Sequence, residues 1–319
     1  MVLAAGLGTR LQPLTYVRAK PAIPLAGEPL IRRIVAGLAR HRVSRVVVNL
    51  HHRPETVAGV LGDGSDLGVA VRYSWEGSTI LGSAGGPRLA LPLLEADTFV
   101  LLNGDTLTDI DLDGLESSHV ASHALVTMAL VPNIDPLRYG GVRVDAEGRV
   151  LGFAPRGPSA VGSLHFTGVQ IVSAEVFRTL PEGQPAATVG ELYDRWLAER
   201  PGCIHGWPSA ARFWDIGTVP DYWRSSQLLG GGADGHTRGR RTHVDPSARV
   251  RGTTLWDDVV IESGCSLEDC IVTDGVRVPA GTDARRLIFW RQGDALMKTT
   301  FEAVGIPEEP TRDGPELQR

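Results

Sequence analysis

Lysine is almost missing from this chain. Of 32 basic residues among 319, only Lys20 and Lys298 are lysine, and the rest are arginine. A sequence that otherwise draws its positive charge from arginine, yet keeps a lysine in an N-terminal loop, points to a position that wants a compact ammonium. Cysteine is also scarce. Cys203, Cys265 and Cys270 are odd in number and lack close metal-ligand spacing, which excludes a disulfide framework and fits a reduced compartment. No run of 18 apolar residues occurs, and no charged segment followed by an apolar one opens the chain. A soluble, cytoplasmic protein with neither membrane span nor secretory leader is therefore expected. The formal net charge of −5 offers no attraction to nucleic acid or to a membrane surface, so any cationic chemistry must be local.

What is present is concentrated at the start. Leu3-Ala4-Ala5-Gly6-Leu7-Gly8-Thr9-Arg10-Leu11-Gln12-Pro13-Leu14-Thr15 is followed five residues later by Lys20-Pro21. A short apolar run gives way to a loop where Gly6 and Gly8 let backbone N–H groups approach a ligand. Arg10 adds a planar fork of donors suited to phosphate oxygens, and Lys20 a point charge. Together they read as a polyphosphate site, with a purely structural turn as the plain alternative. Two other phosphate motifs fail on spacing. No lysine follows the glycines as a Walker loop requires, and Leu11 stands where a dinucleotide fingerprint needs its third glycine.

The length allows one large or two modest domains, each with its own core. Strand-like runs at 2–5, 45–50, 69–75, 98–103 and 124–131 alternate with helical spacing at 29–41, 54–61, 84–94 and 112–121. That rhythm predicts an α/β fold with a mostly parallel sheet, its ligands beyond the carboxyl ends of the strands. The loops after the first and fourth strands, Gly6–Arg10 and Gly104–Asp105, should open on one crevice. Asp111 and Asp113 read as helix caps. From Gly140 the pattern changes to strands at 141–145 and 150–154 around the turn Glu147-Gly148, a strand at 164–172, and helices at 189–199 and 220–229. A glycine-rich linker follows. Beyond it apolar residues recur roughly every sixth position, which suggests a short left-handed parallel β-helix of about two coils at ~18 residues each. A small irregular β region is the alternative. The last residues are rich in proline and charge, and read as a short helix or strand and a mobile tail.

The opening motif resembles that of the sugar-1-phosphate nucleotidyltransferases, also called NDP-sugar pyrophosphorylases. Further matching blocks follow in the family's order: Gly82-Ser83-Ala84-Gly85, Asn103-Gly104-Asp105, Phe166-Thr167-Gly168-Val169-Gln170 and Trp214-Asp215-Ile216-Gly217-Thr218. The resemblance covers about the first 230 residues and implies a Rossmann-like, mostly parallel mixed sheet. On this reading residues 1–229 are the nucleotidyltransferase domain, 230–241 the linker, 242–290 the β-helix and 291–319 the tail.

The implied reaction is attack by a sugar-1-phosphate oxygen on the α-phosphorus of a nucleoside triphosphate, expelling pyrophosphate. The attacking phosphate is already an anion, so no Ser-His-Asp or Cys-His set is expected; the work lies in positioning and charge stabilisation. The resemblance assigns Arg10 to the departing β,γ-phosphates and Lys20 to the α-phosphate as catalytic residues. Nucleotide binding falls to Leu3, Ala4, Ala5, Gly6, Gly8, Thr9, Gly82, Ser83, Ala84, Gly85, Asn103 and Gly104. Asp105 and Asp215 are expected to hold Mg2+, which prefers few carboxylates and several phosphate or water oxygens. Gly141, Thr167 and Gly168 are the matched positions near the sugar. Family members often carry Glu-Lys-Pro in the preceding hairpin, whereas this chain reads Phe153-Ala154-Pro155-Arg156-Gly157-Pro158. Arg156 either replaces that phosphate-gripping lysine or is a solvated loop residue.

For substrate, the 82–85 block and the β-helix resemble mannose-1-phosphate guanylyltransferases. Segment 51–103, with Leu61-Gly62-Asp63-Gly64-Ser65, resembles N-acetylmuramate-1-phosphate uridylyltransferases. The guanylyl reading leads, with homo-oligomerisation through the β-helix expected. Two other classes compete. A non-catalytic nucleotide-sugar sensor would usually lose a loop cation or a metal carboxylate, and Arg10, Lys20, Asp105 and Asp215 are all kept. A hexapeptide acyltransferase could use His236 or His243, but two coils are too few for its cleft.

Overall fold

A computed structural model describes residues 1–230 and 237–302. The chain divides into two compact units, Met1–Pro24 with Glu28–Gly217, and Leu25–Gly27 with Thr218 onward. None of the described helices is long and apolar enough to cross a membrane.

The first unit is built on a mixed sheet of nine strands. Its parallel part holds β1 (Val2–Leu3), β2 (Arg45–Leu50), β3 (Ala70–Trp75) and β4 (Thr98–Asn103), ordered β3-β2-β1-β4. β2 shows why these segments become strands: Val46-Val47-Val48 is β-branched, suits a pleated surface, and is buried with Leu50. The helices follow from spacing. α1 (Leu30–Arg40) buries Leu30, Ile31, Ile34, Val35 and Leu38, one apolar stripe at the 3.6-residue period. α2 (Pro54–Leu61) and α3 (Gly82–Leu94) complete the crossovers. After β4 come a short strand β5 (Thr106–Thr108) and α4 (Leu112–Ser122). Asp111 caps α4, its carboxylate accepting from Asp113 N and Gly114 N at 3.1 Å each. Asp113 is not a cap. It lies inside the first turn, where its carboxylate faces His41 and Arg42 at 3.7 and 3.8 Å.

The sheet continues in the opposite sense. β6 (Val126–Pro132) and β4 both pair antiparallel with β9 (Leu164–Ser173). The hairpin of β7 (Gly141–Val144) and β8 (Val150–Ala154) extends the β9 side, and β10 (Ile204–Pro208) adds parallel to β6. The ladder between β9 and β6 slips between Phe166 and Gln170, so Thr167-Gly168-Val169 forms a bulge. Gly168, at φ +84°, supplies the left-handed residue that the bulge needs, and the Thr167 hydroxyl donates to the Ala129 carbonyl at 3.0 Å. The core beneath includes Phe99, stacked on Phe177 at 6.0 Å, with Met128, Leu130, Val172, Tyr193 and Ile204.

The helix expected at 189–199 is shorter. Val189 and Gly190 have non-helical backbone, and the regular turn, α5, spans only Tyr193–Glu199. Glu191 and Asp194 explain the difference: their carboxylates accept from Ala187 N and Gly190 N, 2.8 and 2.7 Å, and fold the chain into a turn there. The strand β11 (Phe213–Asp215) leaves the main sheet and pairs antiparallel with β5.

The second unit joins α6 (Val219–Gly230) to stacked coils of short parallel strands. Trp256, fully buried, donates from Nε1 to the Tyr222 hydroxyl at 2.7 Å. Successive strands form three ladders, and partners within each lie 17 residues apart, as in Thr237↔Thr254↔Ile271. The repeat is therefore shorter than the expected ~18 residues. Strand starts at Thr237, His243, Arg249 and Thr254 advance by six, six and five residues, the short step crossing a corner with Gly252 at φ +55°. Asp269 and Arg286 repeat that left-handed corner one and two coils on, at φ +54° and +56°. Three coils are present rather than two, because Thr237–Arg238, inside the expected linker, is already the first strand. The coil stack ends in a hairpin, Leu287–Gln292 with Ala295–Thr300, which answers the strand expected after 292. Cys265 and Cys270 are buried, unpaired thiols in this core. Residues 231–236, with His236, and 303–319 of the tail lie outside the described residues.

A cleft at the carboxyl ends of the parallel strands

Register brings the first components together. Leu3 lies opposite Asn49 on one side and Asn103 on the other, so three strands end abreast with two amides flanking a leucine. Beyond them opens a cleft of about 260 Å³. Of the residues expected to bind nucleotide, Leu3, Ala4, Ala5, Gly6, Gly82, Ser83, Asn103 and Gly104 line it, as do Lys20 and Asp105. Gly8, Thr9, Arg10, Ala84 and Gly85 are not on its wall.

Several of the expected backbone donors are already engaged. Ala4 N donates to Asn49 Oδ1 at 2.7 Å, Gly104 N to the Leu3 carbonyl at 2.8 Å, and Ala84 N to the Ala186 carbonyl at 2.9 Å. Ser83 Oγ accepts from Thr188 N at 2.9 Å. Ala5 N and Gly6 N have no intrachain acceptor among the described residues, so the donor face of the cleft is narrower than the motif suggests. A side chain at Gly6 would touch nothing within 4 Å, which leaves open space over that donor. Gly8 has a different task. At φ +61° it turns the loop, and a Cβ there would lie 2.8 Å from Thr15 Cγ2 and 3.2 Å from Lys20 Cβ. The glycine lets the loop pack directly on the lysine.

Lys20 is buried, and its Nζ donates to Asp105 Oδ2 at 2.6 Å. A buried ammonium of this kind persists only with a partner. Asp215 lies near by: β5 and β11 pair Asp215 with Thr106, and Ile216 N donates to the Asp105 carbonyl at 3.4 Å. Arg138 Nη2 reaches Asp215 Oδ2 at 3.4 Å. The guanidinium lies 5.0 Å from the centre of the Tyr139 ring, which packs with His165 and Phe213. Burial pushes the His165 imidazole below its ordinary range.

Asp105 and Asp215 offer only oxygen donors, a chemistry that suits a hard divalent cation completing its shell from phosphate and water. No group of three or more His, Cys, Asp or Glu side chains poised for a metal occurs among the described residues, so a resident metal cage is not what this pair builds.

The remaining expected residues are more scattered. Arg10 is exposed and makes no ion pair among the described residues. Arg156, on the segment after β8, is likewise exposed and unpaired there. Gly141 begins β7, the Thr167 hydroxyl is spent inside the sheet, and Gly168 sits against the Asn103 side chain. Sequence reading passed over Asn49 and Ile80, which line the cleft beside Pro21 of the opening motif, and Glu76 behind it. Glu76 is buried and accepts from Asn49 Nδ2 at 2.6 Å and Leu81 N at 2.7 Å, tying the 76–82 loop to β2. The available signal was a lone amide ending the apolar run Val46-Val47-Val48-Asn49. Nothing local marks Arg138.

A family model described as nucleotidyl transferase matches residues 1–230. A mannose-1-phosphate guanylyltransferase of Mycobacterium tuberculosis is 32% identical over 292 residues, 88% of this chain and 81% of that protein. An N-acetylmuramate alpha-1-phosphate uridylyltransferase of Neisseria meningitidis serogroup B is 34% identical over 234 residues, 72% of this chain and 97% of that one. Among solved structures, HddC from Yersinia pseudotuberculosis matches with a TM-score of 0.62 at 24% identity, over 72% of this chain and 97% of its own, a likeness of fold.

Proposed function

The chain belongs to the nucleotidyl transferase family and is a sugar-1-phosphate nucleotidyltransferase, and from that premise we propose that it is a mannose-1-phosphate guanylyltransferase. One observation carries the choice of substrate. The likeness to the guanylyl relative covers 88% of the chain and so cannot stop at residue 230, whereas the uridylyl relative accounts for 72%. The coils, taken here as a left-handed β-helix, would serve to assemble copies of the chain.

In the proposed reaction, the triphosphate lies along the loop after β1, with Ala5 N and Gly6 N facing it. Lys20 carries the charge that develops on the α-phosphate, and Arg10, exposed and unpaired, closes over the β,γ-phosphates as they leave. Ser83, Asn103 and the ends of β1 and β2 leave a slot for base and ribose. Magnesium held by Asp105 and Asp215, when bound, supplies neutralisation between the two phosphates being joined. Thr167 and Gly168 shape the floor on the sugar side through the bulge in β9. No general base is needed, because the attacking phosphate oxygen is already anionic.

The test offers GTP, UTP, ATP, CTP and dTTP against a panel of sugar-1-phosphates with magnesium, and measures pyrophosphate. GTP with mannose-1-phosphate should give the highest kcat/KM. A preference for UTP with N-acetylmuramate-1-phosphate would replace this reading by the uridylyl one, which the 34% identity over 234 residues favours.

A further inference from the structure

We propose that Glu76 is a positioning residue that sets the shape of the nucleotide slot, acting through Asn49 and Leu81 without touching the substrate. That role rests on the nucleotidyl-transfer reading of the cleft, whichever base and sugar the cleft takes.

The chain of bonds is short and complete. Asn49, near the end of β2, is 2% exposed, and its Oδ1 accepts from Ala4 N at 2.7 Å. Its Nδ2 donates to Glu76 Oε1 at 2.6 Å, and Glu76 Oε2 accepts from Leu81 N at 2.7 Å. Glu76 directly follows β3, is 7% exposed, and pairs with no cation among the described residues. Its backbone is held as well, Glu76 N donating to the Leu50 carbonyl at 3.0 Å. Helix α3 packs its backbone on the couple at Gly86, where a Cβ would lie 2.7 Å from Glu76 Oε1 and 2.8 Å from Asn49 Nδ2.

Every group that the couple must satisfy is a donor. Ala4 N–H, the Asn49 NH2 and Leu81 N–H share the Asn49 oxygen and the two oxygens of Glu76. The carboxylate also orients the amide, because a flipped Asn49 would set its NH2 against Ala4 N–H and its oxygen against Glu76. Glutamine at position 76 has a single oxygen, so either Asn49 Nδ2 or Leu81 N would meet an NH2 instead of an acceptor. A buried charge without a counter-charge is expensive, and strong charge-assisted bonds at both oxygens are what make it tolerable here.

The two ends of this chain reach the wall of the cleft. Ala4 lines it and precedes Ala5 and Gly6, whose N–H groups are unengaged within the chain among the described residues. Leu81 stands between Ile80 and Gly82, which line it together with Ser83. One carboxylate therefore fixes two stretches of wall against the end of β2.

Moving the charge across the couple should restore every bond. With Asn49→Asp and Glu76→Gln together, the carboxylate at 49 accepts from Ala4 N and from the amide at 76, whose oxygen accepts from Leu81 N. The experiment compares the full chain with Glu76→Gln, Asn49→Asp and the double variant, each checked for folding by circular dichroism. KM is measured separately for the nucleotide and the sugar phosphate, using the pair that the substrate panel finds best. Hydrogen exchange follows the Leu81 amide without substrates. Glu76→Gln should raise the nucleotide KM about 10- to 100-fold, with the sugar-phosphate KM within about threefold of the parent. Asn49→Asp alone sets two carboxylates against each other and should also raise the nucleotide KM. The double variant should return it to within about threefold of the parent, and return the protection of Leu81 that Glu76→Gln loses. A parent-like nucleotide KM in Glu76→Gln, an equal rise in both KM values, or a double variant that stays impaired or does not fold would overturn the proposal. Should Glu76→Gln alone not fold, the double variant decides. A parent protein that releases pyrophosphate from no substrate pair would bring down the nucleotidyl-transfer reading and this role with it, whereas the other failures arise in an active parent.

Discussion

Lys20 is charged and only 8% exposed, and the Asp105 carboxylate at 2.6 Å makes that tolerable. The loop backbone at Gly8 packs on the lysine stem, where an added Cβ would lie 3.2 Å from Lys20 Cβ. In the proposed reaction the same ammonium turns to the α-phosphate, so its removal takes away a donor aimed at charge that develops in the transition state. Losing one such donor costs about 3–4 kcal/mol, a few hundredfold in rate at about 1.4 kcal/mol per tenfold. Lys20→Ala should therefore lower kcat a few hundredfold while circular dichroism and the urea midpoint report a folded protein. A variant within tenfold of the parent would remove Lys20 from the chemistry. The place of this residue on the cleft wall was legible from composition and motif alone. The pairing of Arg138 with Asp215 was not, because the two lie 77 residues apart in the chain.

At the scale of elements, the bulge in β9 links fold to site. Two extra residues between Phe166 and Gln170 would leave the Ala129 carbonyl facing nothing, and the Thr167 hydroxyl fills that need at 3.0 Å. Replacing Thr167 by Val keeps the shape and deletes the donor, so a buried carbonyl is left unsatisfied. The expected loss is about 1–3 kcal/mol, read from urea unfolding. Stability equal to the parent would mean that the bulge does not depend on the hydroxyl. The bulge also marks the limit of reading a sequence. Apolar alternation identified the strand at 164–172, and helical periodicity identified α1, since both signals are local. A slip of register belongs to two strands at once, and Thr167-Gly168 reveals it only when β6 lies alongside. The coils show the same boundary. Spacing of six residues was visible, but the five-residue step at the Gly252, Asp269 and Arg286 corners depends on backbone in the left-handed region, and two of those residues are not glycine. Helix α5 was overextended because Glu191 and Asp194, good helix formers by position, instead accept from the backbone of the preceding turn.

For the molecule as a whole, the protonation of a few side chains predicts which unit fails first in acid. His119 on α4 and His205 on β10 both belong to the first unit, and burial pushes both imidazoles below the ordinary value of 6.5. His119 Nδ1 lies 2.9 Å from Thr127 Oγ1. Glu116 favours its charged form, His205 opposes it, and Asp145 favours the charged form of His205, but the loss of solvent around each ring outweighs these neighbours. A folded pKa below the unfolded one means that the unfolded chain binds more protons between the two values. Stability contributed by neutral His119 and His205 is therefore complete above pH 6.5 and is lost as pH falls through that window. The carboxylates held down by hydrogen bonds, Asp63, Asp66, Glu95, Asp245 and Glu262, act lower, below about pH 4, and occur in both units. Acid should consequently weaken the chain in two stages, the first confined to the mixed-sheet unit. Native-state hydrogen exchange at pH 7.5 and 5.5, corrected for intrinsic rates, should show lower protection in β6 and β10 at the acid value, with protection in the coils unchanged. Replacing both histidines by Gln should reduce the slope of melting temperature between pH 5.5 and 6.5, leaving the part that His165, also held low by burial, contributes. Equal loss of protection in both units, or a slope undiminished by the double substitution, would assign the first acid stage to other groups.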